Sequence, residues 1–182
     1  SGMDLTGTIL KGVDLSGKNL TGTILKGAIL MNTNLTGVDL SGMDLTGTVL
    51  KGVNLSDSDL NGTNFTRVNL SNSNLSGSDL SESILMNTNL TGAILTGADF
   101  TNVNFTNVDL SNKDLTGAIL TSADLTNVNF TNVDLSYKDL TGTVLKGVDL
   151  SDKDLTGTVL SGANLENANL TGVDLSGKNL TG

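Results

Sequence analysis

The chain has 182 residues and a formal net charge of −9, and it contains no proline, cysteine, histidine or tryptophan. Without His or Cys it lacks disulfides, the commonest transition-metal ligands and the usual general base, so we expect no metal site, no cofactor and no enzyme. The negative charge argues against a nucleic-acid partner, because phosphate affinity needs clustered Lys and Arg. No apolar run approaches the ~18 residues of a membrane span, and localisation stays open.

A five-residue repeat runs through the whole chain. Every residue whose number is a multiple of five, from Leu5 to Leu180, is Leu or Phe. The residue before it is Asp fifteen times, Asn twelve times, and Ile or Val nine times. Two before it comes a mostly small or β-branched residue, while Ser or Thr and then Gly or Asn follow the leucine. A register that holds over thirty-six units indicates a repeat architecture.

Each position of the repeat has a physical interpretation. Gly and Asn tolerate the positive φ that the third position of a type II turn requires, so a turn should begin on each leucine. In the extended link between turns, the small residue and the leucine point inward, and the Asp or Asn between them points outward. A helix is excluded, because a leucine every five residues makes no continuous helical face. The pattern predicts polygonal coils stacked by backbone hydrogen bonds at ~4.8 Å.

These residues resemble the pentapeptide-repeat family, whose unit is a small residue, Asp or Asn, Leu or Phe, and two polar residues. The resemblance implies an all-β fold, a right-handed quadrilateral β-helix with about nine 20-residue coils, forming a single domain over residues 1–182. Residues 106–115 match 146–155, and 131–140 match 171–180, which supports a coil of four units. Ser1-Gly2 is interpreted as a tag remnant, and the domain is expected to come from a longer protein.

Long side chains interrupt the small inward position. They are Met3, Met43, Lys18, Lys113, Lys138, Lys153 and Lys178. Met and Lys share unbranched stems, which suggests that the position accepts length rather than charge. For the lysines three interpretations stay open: the stem packs near a corner while the amine reaches water, the amine is buried and neutral, or the lysine is functional.

Two surface patterns are candidate interaction sites. The first is an apolar strip of Ile9, Ile24, Ile29 and Val49. Scattered exposed aliphatic residues are normal, so the alternative to a homodimer face or partner site is no role at all. The second is a pair of acidic ladders: Asp39, Asp59, Asp79 and Asp99 on one face, and Asp114, Asp134, Asp154 and Asp174 on its neighbour. The ladders aid solubility, and one Asp per coil supplies too few ligands for a tight calcium site.

The sequence favours a non-enzymatic scaffold that offers flat faces to a protein partner, either itself or another chain. The resemblance supplies an alternative, an acidic DNA mimic that binds a type II topoisomerase. Nine coils at ~4.8 Å give a length of ~43 Å, over which B-DNA carries about 25 charges. This chain has a net charge of only −9. The loops and the dimerising segment of such relatives have no counterpart in this sequence. Ice binding is a remote alternative, prompted by Thr-Gly-Thr at residues such as 6–8 and 141–143. The second threonine should point inward, which argues against it.

Overall fold

A computed structural model describes residues 2–181, so Ser1 of the expected tag remnant lies outside the described residues. Within that range the chain forms no helix and no strand longer than a single bridging residue. A tight turn recurs every five residues, and the outward residue between two turns forms the β-bridge. This arrangement follows the five-residue period of the sequence.

The turns have the geometry that the sequence predicts. Gly and its substitutes at the second central position all have positive φ, from 63° to 75° for glycine and 54° to 61° for the fifteen other residues. In nearly every turn the following residue donates its amide to the Leu or Phe carbonyl, as Thr8 does to Leu5 at 3.0 Å. The prediction of type II turns that begin on leucine is therefore confirmed.

Parallel bridges join residues that lie twenty positions apart. Twenty-two such pairs form, and they divide the outward residues into four columns. We name the columns after their first members: the Asp4, Ile9, Asp14 and Asn19 columns. A coil is the twenty-residue segment between bridged partners. Each coil therefore contains four turns and contributes one residue to each column.

The core is a continuous stack of leucine and phenylalanine. These residues are buried from Leu20 to Leu160, and Phe100 packs edge-to-face on Phe105 at 5.0 Å between ring centroids. The small position also points inward. Hydroxyl groups there donate to a leucine carbonyl of the previous coil, as Thr63 does to Leu40 at 2.9 Å. Most hydroxyls in this position are therefore paired within the protein, although those of Ser73 and Ser83 make no hydrogen bond.

The backbone ladder is not continuous, contrary to the uniform stack that the sequence predicts. Ten column neighbours within residues 2–181 form no bridge: Asn19 and Asp39, Ile24 and Asp44, Asn89 and Asp109, Ile94 and Asp114, Asp114 and Asp134, Ile119 and Asp139, Asn129 and Asp149, Asp134 and Asp154, Asp154 and Asp174, and Val159 and Asn179.

The missing bridges have a common cause. They occur as five pairs of neighbouring positions. Between the two positions of each pair, at a turn that we call a corner, the chain has a long inward side chain with another coil before it. These side chains are Met43, Lys113, Lys138, Lys153 and Lys178. The stem is too long for the space that a small residue fills, so it lies between coils and separates them at that corner. Met43 has this effect without a charge, so length is the cause.

Candidate functional site

The structure aligns three members of the apolar strip. Bridges join Ile9 to Ile29 and Ile29 to Val49, so these residues are consecutive in the Ile9 column. Ile24 is bridged to Asp4 in the neighbouring column. Exposure is uneven: Ile9 is 72% and Ile24 52% exposed, whereas Ile29 and Val49 are half-buried. Most of the accessible apolar surface of the strip therefore lies on Ile9 and Ile24.

The first acidic ladder is a row of bridged neighbours. Asp39, Asp59, Asp79 and Asp99 follow one another in the Asn19 column. Ser41 donates its hydroxyl to the Asp39 carboxylate at 2.7 Å and its amide at 3.0 Å. These two hydrogen bonds, the hydroxyl first, lower the pKa of Asp39. The carboxylate is therefore ionised at neutral pH and fixed in direction.

The second acidic ladder lies in the Asp14 column, where the backbone ladder is open. Asp114, Asp134, Asp154 and Asp174 are all exposed, and no bridge joins one to the next. The hydroxyl and then the amide of Ser136 lower the pKa of Asp134, with further help from Lys138 and Lys153. The structure thus places these carboxylates in one column and puts lysine side chains beside them.

A hydrogen bond not anticipated from the sequence explains why Ser or Thr follows leucine. The side-chain oxygen of the outward Asp or Asn accepts the amide of the residue two positions later, and often also its hydroxyl. Asp14 with Ser16 and Asp44 with Thr46 show both bonds. The spacing Asp-Leu-Ser or Asp-Leu-Thr was the available signal, because short acceptors bond the backbone two residues on.

Three of the inward lysines donate hydrogen bonds to the backbone. The Lys153 ammonium donates to the carbonyl oxygens of Phe130 at 2.7 Å and Val133 at 3.0 Å. Lys138 donates in the same way to Leu115, and Lys178 to Leu155. Each ammonium donates to the carbonyl 23 residues earlier. This is the same acceptor position that inward hydroxyl groups use elsewhere in the chain. The structure adds these carbonyl acceptors to the expected packing of the stem, and the three side chains remain partly exposed.

Lys113 is a partly buried lysine at the same inward position. Burial lowers the pKa of its ammonium, and the nearby charge of Asp109 partly opposes that shift. The side chain remains partly exposed, so the interpretation of a buried, neutral amine stays a hypothesis for Lys113.

The separated corners form clefts between coils. One of them, of about 530 Å³, is lined by residues 112–117 and by Asn132, Asp134, Ser136, Tyr137 and Lys138. Another, of about 390 Å³, lies beside Lys178. Sequence reasoning missed these clefts, although a long residue in the small position was the signal.

Residues 2–181 were also searched for metal-binding groups, salt bridges and membrane-spanning helices. No group of His, Cys, Asp and Glu side chains there could hold a metal ion. The described residues contain one salt bridge, in which Lys146 Nζ lies 3.1 Å from the Glu166 carboxylate. No helix in this part of the chain is long and apolar enough to cross a membrane.

Sequence comparison decides the family. The model for pentapeptide repeats matches eight overlapping stretches, at residues 1–37, 14–52, 28–67, 49–85, 63–102, 83–121, 98–136 and 139–177. The chain belongs to the pentapeptide-repeat family. Pentapeptide-repeat proteins form right-handed β-helices and are generally non-catalytic structural proteins. No curated protein sequence matches this pentapeptide-repeat chain.

The chain is also similar to several solved structures. A protein of the Arabidopsis thaliana thylakoid lumen is 36% identical, with a TM-score of 0.50, over 58% of this chain and 70% of that one. HetL from the cyanobacterium Nostoc, involved in heterocyst differentiation regulation, is 28% identical with a TM-score of 0.42, over 99% of this chain and 86% of that one. QnrB1, a plasmid-mediated fluoroquinolone resistance protein, is 24% identical with a TM-score of 0.35, over 79% and 76%.

Proposed function

We propose that this protein is a non-enzymatic scaffold that presents flat faces to a protein partner. The observation that carries the proposal is the unbroken spacing of the turns: one turn follows another every five residues throughout residues 2–181. No loop departs from the coils in that range to enclose a catalytic cleft. The outward columns instead give an extended, regular surface that suits lateral contacts.

The proposal includes the finer architecture. We infer a single domain over residues 1–182, with a right-handed, four-sided path of about nine coils. Bridges between residues twenty apart and four turns in each coil support it. At ~4.8 Å per coil such a domain is a rod roughly 43 Å long. Because each coil contacts only its neighbours, the stability of the rod is a sum over adjacent coils.

The apolar strip is the contact surface in this proposal. Ile9 and Ile24 are the most exposed of its side chains. Burying a β-branched side chain contributes about 1.5–3 kcal/mol, so these two can anchor a contact made by the whole face. A flat face with column symmetry suits an isologous two-fold pairing of two copies, the commonest form of homodimer. The alternative is that a different protein binds the same face.

The experiment is sedimentation velocity of the wild type and of the Ile9→Asp/Ile29→Asp/Val49→Asp variant. Asp is the commonest residue at outward positions, so the coils should persist. The control is Ile94→Asp, which changes a half-exposed aliphatic residue (51%) outside the strip. We expect a wild-type dimer that the triple change dissociates and the control leaves intact. A monomer at high concentration excludes the homodimer, and a dimer that survives the triple change excludes the strip as its interface.

The acidic DNA mimic is the alternative function. Its support is the continuous column of Asp39, Asp59, Asp79 and Asp99 on the surface. A mimic competes with duplex DNA for a type II topoisomerase, and replacing the four residues with Asn should abolish that competition. A scaffold that uses the apolar strip shows no competition at all.

A further inference from the structure

One turn of the chain contains an Asn-Gly pair. Asn61 is followed by Gly62, whereas every other asparagine is followed by a residue that has a side chain. Asn61 is also the sole asparagine at the first central position of a turn, which is Ser or Thr in most units. An asparagine carboxamide reacts fastest with a glycine amide, because no side chain hinders the approach of that nitrogen. The pair is therefore the most reactive asparagine position in the sequence.

The structure holds both reacting groups of this pair against one residue of the next coil. The Gly62 amide donates to the main-chain oxygen of Ser81 at 2.8 Å. The Asn61 carboxamide nitrogen Nδ2 lies 3.0 Å from the same oxygen and 2.8 Å from the Ser81 hydroxyl oxygen. That hydroxyl is oriented in turn, since it donates to the Asp79 carboxylate. Ser81 thus binds both the nitrogen that would attack and the nitrogen that would leave.

The turn also directs the glycine nitrogen away from the carboxamide. Gly62 has a φ of 64°, and Thr63 donates its amide to the Leu60 carbonyl at 3.1 Å, as in a type II turn. Such a turn holds ψ of its first central residue at about +120°. Ring closure needs the opposite rotation, which brings the Gly62 nitrogen to the side of the Asn61 Cβ. The Asn61 carbonyl resists that rotation, because it accepts the Gly42 amide at 2.7 Å.

We propose that Asn61 is a site of spontaneous deamidation and that its contacts with Ser81 suppress the reaction while the coils stay together. In the reaction the Gly62 nitrogen loses its proton and forms a bond to Cγ of Asn61, the bond from Cγ to Nδ2 breaks, and ammonia leaves. Water then opens the resulting succinimide at either carbonyl and yields aspartate or isoaspartate. Water is the sole co-reactant. This modification goes beyond the scaffold function and does not depend on it.

Either product weakens the contact between the two coils. An aspartate side chain has no N–H to donate, so its carboxylate would face the carbonyl and hydroxyl oxygens of Ser81. Isoaspartate adds a methylene group to the main chain of a four-residue turn and shifts the residues that follow it. The new charge also lies close to the Asp59 carboxylate, which accepts the Asn61 amide at 3.1 Å and belongs to the first acidic ladder. Deamidation therefore opens, irreversibly, a corner at which the ladder is otherwise intact.

The experiment follows conversion of Asn61 by peptide mass spectrometry of the full chain, incubated at mildly alkaline pH. We expect conversion to be at least about tenfold faster in urea than in the folded protein, because the folded chain reacts only after local opening. Ser81→Ala should accelerate conversion in the folded protein several-fold, since it removes one acceptor of Nδ2. The matched control is Ser41→Ala, which removes an equivalent hydroxyl, bonded to Asp39, from the coil on the other side of Asn61. It should leave the rate unchanged.

Three results overturn the proposal. They are equal rates of conversion in the folded and the unfolded chain, a rate in Ser81→Ala equal to that of the wild type, and faster conversion at any other asparagine of the unfolded chain. Ser81→Ala and Ser41→Ala each remove one bond from a hydroxyl to a carboxylate and should melt at similar temperatures. A difference between their rates therefore reports the contact with Nδ2 rather than a general loosening of the coils.

Discussion

The ammonium nitrogen of Lys153 lies 3.0 Å from the main-chain oxygen of Val133, twenty residues earlier in the chain. In the intact part of the same column, the carbonyl of Val53 accepts the amide of Asn74 instead. The equivalent amide at position 154 has lost this acceptor. A side-chain hydrogen bond has therefore replaced a ladder hydrogen bond, and the coils are separated at that corner.

Lys153→Val should close this corner and stabilise the protein by about 1–3 kcal/mol, because several ladder bonds worth ~0.5–1.5 kcal/mol each replace those of one ammonium. The melting temperature should rise by a few degrees. Hydrogen exchange of the Asp149 and Asp154 amides should slow in parallel. The reverse substitution, Val53→Lys, places a long side chain in an intact corner and should lower the melting temperature. If Lys153→Val leaves exchange at Asp154 unchanged, the length of the stem does not open the ladder.

Gly142→Val should destabilise by more than ~1 kcal/mol, because a β-branched residue resists positive φ. Gly142 has a φ of 68°, and an added Cβ would lie 3.1 Å from the Ser122 hydroxyl. Gly142→Asn is the control, since Asn adopts the same φ at equivalent positions such as Asn132. Thermal unfolding should rank the wild type first, the Asn variant second and the Val variant last. Equal stabilities for Asn and Val would contradict the backbone explanation.

Leu95→Ala should cost roughly 2–5 kcal/mol, because the stacked coils cannot close the cavity. Leu95 is buried in the core, whereas its neighbour Ile94 is half exposed. Ile94→Ala therefore serves as the control and should cost below ~1 kcal/mol. Urea unfolding of both variants checks the difference, and similar losses would show that the core is not restricted to the Leu/Phe stack.

Ser73→Ala and Ser58→Ala should have different effects, although both serines are buried at inward positions. The Ser58 hydroxyl donates to the Leu35 carbonyl at 2.9 Å, while the Ser73 hydroxyl makes no hydrogen bond. Ser58→Ala should cost about 0.5–1.5 kcal/mol, and Ser73→Ala should be neutral or stabilising because it removes an unpaired buried hydroxyl. Chemical denaturation of the two variants tests this, and an equal loss in both would contradict it.

Ser41→Ala should raise the pKa of Asp39 towards its ordinary value, since the Ser41 hydroxyl is the first cause of its lowering. A carboxyl whose folded pKa lies below the unfolded value of about 3.9 stabilises the fold above that pH. This stabilisation is lost as the pH falls through the folded pKa. A carboxyl titration followed by nuclear magnetic resonance measures the shift, and Ser56→Ala, beside Asn54, is the control. An unchanged Asp39 titration in Ser41→Ala would remove the hydroxyl from the explanation.

The sequence by itself determined the local path of the chain and its family. The five-residue period sets where φ is positive and which side chains alternate inward and outward, and these are properties of consecutive residues. Gly142, Leu95 and the Ile9 column all lie where that reasoning places them. The family follows from the same short pattern, repeated along the chain.

Only the tertiary structure decided how well successive coils fit together. The missing bridges, the carbonyl partners of Lys153 and the cleft beside Tyr137 depend on the space between residues twenty apart in sequence. Whether a lysine stem packs in the lumen or separates two coils is settled by the atoms of the coil beneath it, because the interior is close-packed and has no room for extra length. The five-residue period and the turns are the same at intact and open corners, and a long residue at the inward position is the sequence feature that separates them.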